Sequence, residues 1–153
     1  AAQWLVLSGQ VLGAKQALAY GLVDQVVERE NAEQAARLAA LADTPPIAQI
    51  DSSNPKVAWI QEHFGADLLE GWLDGTHAAS DDPMVAKLAK RIGFKAPVAL
   101  RIGAELVAAS ARLSVADGVA EELRRLPEVF GTQDAYEGIC SVLERRRPTF
   151  SGS

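Results

Sequence analysis

The second half of the chain carries apolar residues at the spacing of an α-helix. In the clearest segment they lie 4, 4, 3 and 4 positions apart, at Val98, Ile102, Leu106, Ala109 and Leu113. The next segment continues this spacing, at Val115, Val119, Leu123 and Leu126. Pro97 and Ser114 precede the two segments as helix start signals. The pattern therefore predicts two amphipathic helices, the first with a stripe that is buried.

Start and stop signals predict further helices on either side. The predicted segments are Ala32–Leu41 after Asn31, Lys56–Phe64 after Asn54 and Pro55, Ala66–Leu73, a helix from Pro83 closed by Gly93, and a terminal helix from Thr132 or Asp134 to about Arg146. Asp81 or Asp82 is expected to cap the helix from Pro83, with Val85, Leu88 and Ile92 facing inward. Arg101 and Glu105, four positions apart, are expected to form an ion pair. Pro127 is expected to bend or end its helix, and the tail from Ser151 is expected to be frayed.

The first 27 residues have a different pattern, with short segments separated by glycines. A helix is predicted up to Leu7, and Gly9 is placed to cap it in the left-handed conformation. A short alanine-rich helix, Ala14–Tyr20, follows and Gly21 closes it in the same way. Leu22–Val27 is rich in β-branched residues and alternates between two faces, which predicts a short strand or extended run.

A segment rich in proline and turn formers divides the chain. Three prolines and several turn-forming residues between Asp43 and Pro55 cannot continue a helix. We therefore predict a first region over residues 1–43, a linker over residues 44–55 and a helical domain over residues 56–153. The predicted fold class is mainly α, with a short α/β segment ahead of a multi-helix domain.

Composition excludes several classes of protein. The 153 residues are 48% hydrophobic and carry a formal net charge of −5, so a packed core is expected and a broad basic surface for nucleic acid is not. No apolar run approaches the roughly 20 residues that span a membrane. One cysteine, Cys140, excludes an intrachain disulfide and a cysteine-based zinc cluster. These features predict a cytoplasmic protein without a membrane or nucleic-acid partner.

Two stretches of the chain carry a distinctive pattern. The positions concerned are Leu7-Ser8-Gly9, Ala14, Ala17, Gly21–Asp24 and Val26-Val27 near the start, and Asp134, Glu137-Gly138, Leu143, Arg145-Arg146, Pro148 and Phe150 near the end. At these positions the chain resembles the crotonase superfamily, the enoyl-CoA hydratase/isomerase fold. In this superfamily the first stretch follows the active site. Because the chain also opens in mid-helix without a methionine, the resemblance implies a C-terminal fragment of a crotonase fold.

The middle of the chain bears on the branch of the superfamily. The segment Val57–Pro83 is extra relative to a simple hydratase, and its helices resemble those of the 3-hydroxyisobutyryl-CoA hydrolase branch. The apolar pair Val142-Leu143 also favours that branch, whereas Arg145–Pro148 favours the hydratases. The resemblance thus implies hydrolysis of a small β-hydroxyacyl-CoA thioester by the intact protein, with enoyl-CoA hydration or isomerisation as the alternative. A helical interaction module without catalysis is the second alternative.

The resemblance also says where functional residues are expected. The oxyanion hole and catalytic carboxylates of the superfamily lie upstream of its matching stretch, so no catalytic residue and no metal ligand is expected here and the chain alone is expected to be inactive. Arg145 matches a position that contacts the phosphate region of coenzyme A, and Trp4 and Leu5 are candidates for the acyl pocket. His63, His77 and Cys140 have no partners at a catalytic or metal-binding spacing.

The resemblance implies partners as well. The substrate is an acyl-CoA thioester, and no further cofactor is expected. The remaining partners are the N-terminal half of the same protein and further copies of it in a homo-oligomer.

Overall fold

The computed structural model describes residues 1–44 and 47–153, and the predicted linker residues Pro45 and Pro46 lie outside this description. The described chain is mainly α-helical. Its helices are α1 (Ala2–Ser8), α2 (Ala14–Ala19), α3 (Ala32–Leu41), α4 (Pro55–His63), α5 (Leu69–Leu73), α6 (Pro83–Ile92), α7 (Pro97–Ser110), α8 (Val115–Phe130) and α9 (Gln133–Leu143). Short 3₁₀ turns lie at Arg29–Asn31, Ala66–Leu68 and Thr76–Ala79.

The chain forms two compact units. One comprises Ala1 and Gln10–His63, and the other comprises Ala2–Gly9 and Phe64–Ser153. Helix α1 thus belongs with the later helices α6 and α7, against which it packs. The predicted division at residues 43/44 and 55/56 stays a prediction about the intact protein.

Of the two alternatives predicted for Leu22–Val27, a short strand or an extended run, the strand is wrong. These residues form a turn and an irregular segment, and within the described residues the only bridge between extended segments joins Tyr20 to Ile50. The amide of Leu22 donates instead to the carbonyl of Ala17 at 2.9 Å and closes α2. No neighbouring strand of the described chain pairs with the segment, so its β-branched residues do not form a ladder.

Gly21 makes this turn possible, as the sequence predicts. Its φ of 67° lies in the left-handed region, and a β-carbon there would lie 2.8 Å from the side chain of Ile50. Glycine alone meets both conditions without strain. The predicted cap at Gly9 is also confirmed, with a φ of 61°.

Helix α1 is anchored in the second unit by polar contacts and by close packing. The side chain of Gln3 donates to the carbonyl of Ala104 at 2.8 Å, and the Nζ of Lys95 donates to the carbonyl of Leu7 at 2.7 Å. Partial burial lowers the pKa of Lys95, with a smaller contribution from the charge of Arg91. An ammonium group at the C-terminal end of α1 also complements the helix dipole.

Helix α6 follows the sequence-based expectation closely. The carboxylate of Asp82 accepts hydrogen bonds from the amides of Met84 and Val85 at 2.7 and 3.4 Å, with Pro83 in the first turn. Val85 and Ile92 are buried, and Leu88 is half-buried. The buried apolar residues at helical spacing fix this helix in the core.

Helix α8 has the predicted cap but an unexpected outer face. The Ser114 hydroxyl accepts from the amide of Asp117 at 3.1 Å. The predicted stripe is largely exposed, namely Val115, Val119, Leu123 and Leu126. The helix does not end at Pro127 and continues to Phe130.

Polar contacts in the structure correct four local expectations. Asn31 makes no capping hydrogen bond with its side chain, because it lies in the preceding 3₁₀ turn with helical dihedral angles rather than extended ones. Arg101 pairs with Glu70 instead of Glu105. The terminal helix ends at Leu143 rather than about Arg146.

The fourth correction concerns the tail, which is held in place rather than frayed. Asp134 does not cap α9, because the Thr132 hydroxyl does so by accepting from the amide of Ala135 at 3.0 Å. The buried carboxylate of Asp134 accepts instead from the amides of Ser151 and Gly152 at 2.7 and 2.9 Å. The amide of Asp134 in turn donates to the carbonyl of Ser153 at 3.1 Å. The chain end therefore closes back on the start of α9.

Candidate functional site

An open groove of about 390 Å³ lies in the second unit. Its apolar lining comes from the end of α5 and the first turns of α7, and its charged lining comes from α7 and α8. The lining residues are Leu73, Pro97, Val98, Arg101, Ile102, Glu105, Arg125, Glu128 and Gly152. The groove combines an apolar side with a charged rim.

Both guanidinium groups of the groove are already bound to carboxylates. Arg101 makes two parallel hydrogen bonds to Glu70 at 3.0 and 3.2 Å. Arg125 donates to Glu105 and Glu128, each at 2.8 Å. These hydrogen bonds raise the pKa of both arginines, foremost the bond to Glu70 for Arg101 and the bond to Glu105 for Arg125. A phosphate would have to displace a carboxylate here, so the groove is poorly suited to an anion.

The predicted coenzyme A contact, Arg145, lies just past the end of α9. Its φ is 55°, which makes it the one residue other than glycine with positive φ in the described chain. The amides of Arg145 and Arg146 donate back to the carbonyls of Val142 and Ser141 at 3.3 and 3.0 Å. This is a Schellman cap, in which the left-handed position is usually glycine. An L-residue with a β-carbon costs roughly 1–2 kcal/mol there.

The next arginine, Arg146, has a structural role instead. It donates two hydrogen bonds to Glu137 at 2.5 and 2.7 Å and one to Glu144 at 2.5 Å. The amide of Thr149 adds a bond to Glu137 at 2.8 Å. The bonds from Arg146 and then from Thr149 lower the pKa of Glu137 to about 2. Arg145 is exposed and makes no ion pair within the described residues.

The predicted acyl-pocket residues lie apart from the groove. Trp4 is buried in the core of the second unit, and Leu5 beside it is half-buried. Neither lines the groove, and Arg145 does not line it either. The groove therefore tests none of the three predicted roles, and these roles stay predictions.

The two histidines stabilise local structure. The ring of His63 stacks on the ring of Trp59, with 4.6 Å between their centroids. The Nδ1 of His63 forms a hydrogen bond of 2.9 Å with the carbonyl oxygen of Trp59. The ring of His77 packs edge-on against Trp72 at 4.6 Å and bonds to the carbonyl of Leu68 at 3.2 Å. In residues 1–44 and 47–153, no group of three metal-ligating side chains comes together.

Cys140 lies half-buried on α9. The pKa of Tyr136 is raised mainly by a hydrogen bond with Cys140 and, second, by the charge of Cys140. Both residues are on the terminal helix, one turn apart.

Sequence reasoning missed the two contacts that organise the groove and the tail. Arg101 and Glu70 are 31 positions apart, and Asp134 and Ser151 are 17 positions apart. No local spacing rule links residues at such distances. Asp134 with Glu137 three positions on has the pattern of an ordinary capping box, so the local sequence gave no signal for the contact with the tail.

A comparison with known families identifies the class of protein. The model of the enoyl-CoA hydratase/isomerase family matches residues 1–152. The chain therefore belongs to the enoyl-CoA hydratase/isomerase family, within the crotonase superfamily. No solved structure matches the chain. No helix in the described part of the chain has both the length and the apolar character needed to cross a bilayer.

Proposed function

We propose that this chain is the helical C-terminal part of an acyl-CoA-processing enzyme that hydrolyses a small β-hydroxyacyl-CoA thioester such as 3-hydroxyisobutyryl-CoA. Family membership supports the acyl-CoA class. The segment that resembles the hydrolase branch forms α4 and α5 with the two 3₁₀ turns around α5. A single cysteine is in keeping with a reducing, cytoplasmic compartment.

The observation that carries the coenzyme A part of the proposal is the backbone of Arg145. Arg145 occupies a left-handed cap position that glycine would fill without strain. Strain of this kind persists where it serves a function or where the surroundings impose it. Because Arg145 has no carboxylate partner in the described chain, its charge is available to a phosphate of coenzyme A.

The hydrolytic step needs groups that the described residues do not assemble. Water must add to the thioester carbonyl, the C–S bond must break, and a carboxylic acid and a free thiol must form. Two backbone N–H donors must stabilise the oxyanion and a carboxylate must take the proton from water. The groove carboxylates Glu105 and Glu128 are instead bonded to Arg125. We therefore propose that the N-terminal half of the same protein supplies the catalytic groups, and that no metal or further cofactor takes part.

Two other functions are open to a direct test. Enoyl-CoA hydration is favoured by the run Arg145–Pro148, and it would remove the conjugated double bond of crotonyl-CoA without releasing a thiol. A non-catalytic interaction module is favoured by the exposed stripe on α8. Reading the coding sequence upstream of Ala1 separates the module from an enzyme, because an enzyme requires a region there that carries an oxyanion turn and a carboxylate.

The experiment that tests the proposal measures thiol release from 3-hydroxyisobutyryl-CoA. We expect none from the 153-residue chain and turnover from the product of the complete reading frame. In that product, Arg145→Gln should raise KM about tenfold with little change in kcat, because it removes uniform binding of the phosphate. Arg147→Gln is the matched control and should leave KM unchanged. Turnover by the chain alone, or equal effects of the two variants, would contradict the proposal.

A further inference from the structure

The segment from the start of α6 to the middle of α7 has a charge opposite to that of the whole chain. Residues 83–104 contain five cations and no carboxylate, whereas the chain has a net charge of −5. Three of these cations, Lys87, Lys90 and Arg91, are exposed on the side of α6 that faces away from its buried residues. Neither they nor Lys95 take part in an ion pair within residues 1–44 and 47–153. Lys87, Lys90 and Arg91, the α6 basic face, therefore form a positive surface without carboxylate partners.

Lys95 follows the end of α6 and is held differently from these surface cations. Its Nζ donates to the carbonyl of Leu7 at 2.7 Å. A β-carbon at Gly9 would lie 2.7 Å from the same Nζ, so the absence of a side chain at Gly9 leaves the space that the amine occupies. Lys95 is only half-buried. The amine is thus fixed by a backbone carbonyl while its side chain stays partly open to solvent.

The surroundings of Lys95 favour the uncharged form of its amine. Its pKa is lowered, mainly by burial and, second, by the charge of Arg91. Helix α1, which packs against α6 and α7, has no ionisable side chain, and α7 has none before Arg101. The carbonyl of Leu7 at the end of α1 favours the ammonium form, but burial and Arg91 outweigh it. Desolvation beside another cation is an arrangement that makes a lysine nucleophilic.

We propose that Lys95 is an acyl acceptor, which acyl-CoA thioesters modify after the α6 basic face has attracted them. One proton of the ammonium group passes to water. The lone pair of Nζ then adds to the thioester carbonyl carbon, the C–S bond breaks and an amide forms. The second proton goes to the leaving thiolate, which gives free coenzyme A. The proposal rests on membership of an acyl-CoA family and does not depend on the hydrolysis proposed above.

The charge of the α6 basic face complements that of the acyl donor. Coenzyme A carries its phosphates at the end opposite the thioester, with an extended arm between them. Exposed lysine and arginine without carboxylate partners raise the local concentration of such an anion. Arg91 lies four positions before Lys95, so it both attracts the phosphates and lowers the pKa of the amine. The thioester end of the donor remains free to reach Lys95.

The other four lysines lack this combination. They are Lys15, Lys56, Lys87 and Lys90. The Nζ of Lys56 lies 3.6 Å from the ring centroid of Trp59, and a ring face stabilises an ammonium group. The remaining three are exposed, without the burial that favours a neutral amine. Lys95 should therefore react ahead of lysines that are more accessible.

Site-resolved mass spectrometry of the 153-residue chain after incubation with acetyl-CoA tests the proposal. At about pH 7.5 we expect acetylation of Lys95 to be at least about fivefold faster than that of the other lysines and of a lysine in an unstructured peptide. The advantage over the peptide should shrink as the pH approaches 10.5, the ordinary pKa of lysine, because both amines are then largely neutral. Circular dichroism at each pH shows whether the chain is folded.

Two variants and a second donor separate attraction of the donor from reactivity of the amine. Arg91→Gln should slow acetylation of Lys95 by acetyl-CoA about threefold. It should have a smaller effect with S-acetyl-N-acetylcysteamine, a thioester without phosphates. Arg112→Gln is the matched control, because Arg112 is an exposed arginine just after the far end of α7, and it should leave the rate unchanged.

Three outcomes would overturn the proposal. They are equal acetylation rates at Lys95 and Lys87, a rate at Lys95 that equals that of the peptide at every pH, and equal effects of Arg91→Gln and Arg112→Gln. The measured product is a stable amide, at most one at Lys95 in each chain. The enzymatic proposal is tested by repeated thiol release from the complete protein, so the two proposals can fail independently.

Discussion

Helices α6 and α8 begin with the same kind of side-chain cap, but the apolar face of α6 is buried and that of α8 is exposed. Each starts with a side-chain cap, Asp82 for α6 and Ser114 for α8, and each carries apolar residues at helical spacing. Ile92 on α6 is fully buried, whereas Leu123 on α8 is 61% exposed. The difference shows that periodicity locates the apolar face of a helix and leaves open which molecule covers it.

The two regions are also held by different forces. Helix α6 is fixed by burial of Val85, Ala89 and Ile92. Helices α8 and α9 are fixed by polar contacts, above all the bond of Arg125 to Glu105 and the bonds of Asp134 to the chain end. The C-terminal helices therefore remain attached to the second unit while much of their apolar surface stays exposed in the described chain.

The largest contrast is expected between two truncations to alanine. Ile92→Ala should lower the free energy of unfolding by about 2–5 kcal/mol, because it leaves a cavity in the core. Leu123→Ala should change it by less than about 0.5 kcal/mol, because little of its side chain is buried. Urea denaturation measures both values. Similar losses for the two variants would show that α8 is covered within its own chain.

Removing the carboxylate that holds the tail should give the next largest effect. Asp134→Ala should lower the free energy of unfolding by about 2 kcal/mol, because charged hydrogen bonds from the amides of Ser151 and Gly152 are lost. Hydrogen exchange at these two amides should become faster. Asp117→Ala, at an exposed aspartate on α8, is the control and should have a smaller effect. Unchanged exchange would mean that the tail is held by contacts other than Asp134.

A smaller effect with a distinctive pH dependence is expected at Glu137. Its pKa falls from the ordinary 4.5 to about 2 in the folded chain, so the ionised carboxylate favours folding above that range. The stabilisation should be fully present above pH 4.5 and should disappear as the pH falls to about 2. The urea midpoint of the wild type should therefore exceed that of Glu137→Gln at neutral pH and approach it near the lower pKa.

The control for this comparison is Glu30→Gln, at an exposed carboxylate outside the Arg146 network. Its midpoint should follow that of the wild type at every pH. A constant difference between the wild type and Glu137→Gln down to the lowest pH would contradict the assignment of the ion pair.

The sequence predicted the features of the fold that depend on near neighbours. The bounds of α3, the cap at Asp82 and the left-handed glycines at Gly9 and Gly21 agree with the structure. Each of them rests on backbone groups within a few positions, where propensity and capping rules apply directly.

The features that depend on distant residues were not predictable in this way. Leu22–Val27 has the composition of a strand, but a strand forms only where another segment offers a ladder of hydrogen bonds. The sequence predicts a frayed tail from Ser151, because it does not show that the buried Asp134 lies beside the tail. At the candidate site, the position of Arg145 came from resemblance, while its backbone conformation and the separate role of Arg146 required the structure.

The left-handed backbone at Arg145 has a consequence for engineering this protein. A library of variants selected for thermal stability alone should accumulate Arg145→Gly, because glycine relieves roughly 1 kcal/mol of strain at that cap. The same selection would discard the exposed positive charge at this position without any visible penalty. Arg145→Gly would then be scored as an improvement in thermal stability. Its effect on ligand binding would appear only in a measurement made with the ligand present.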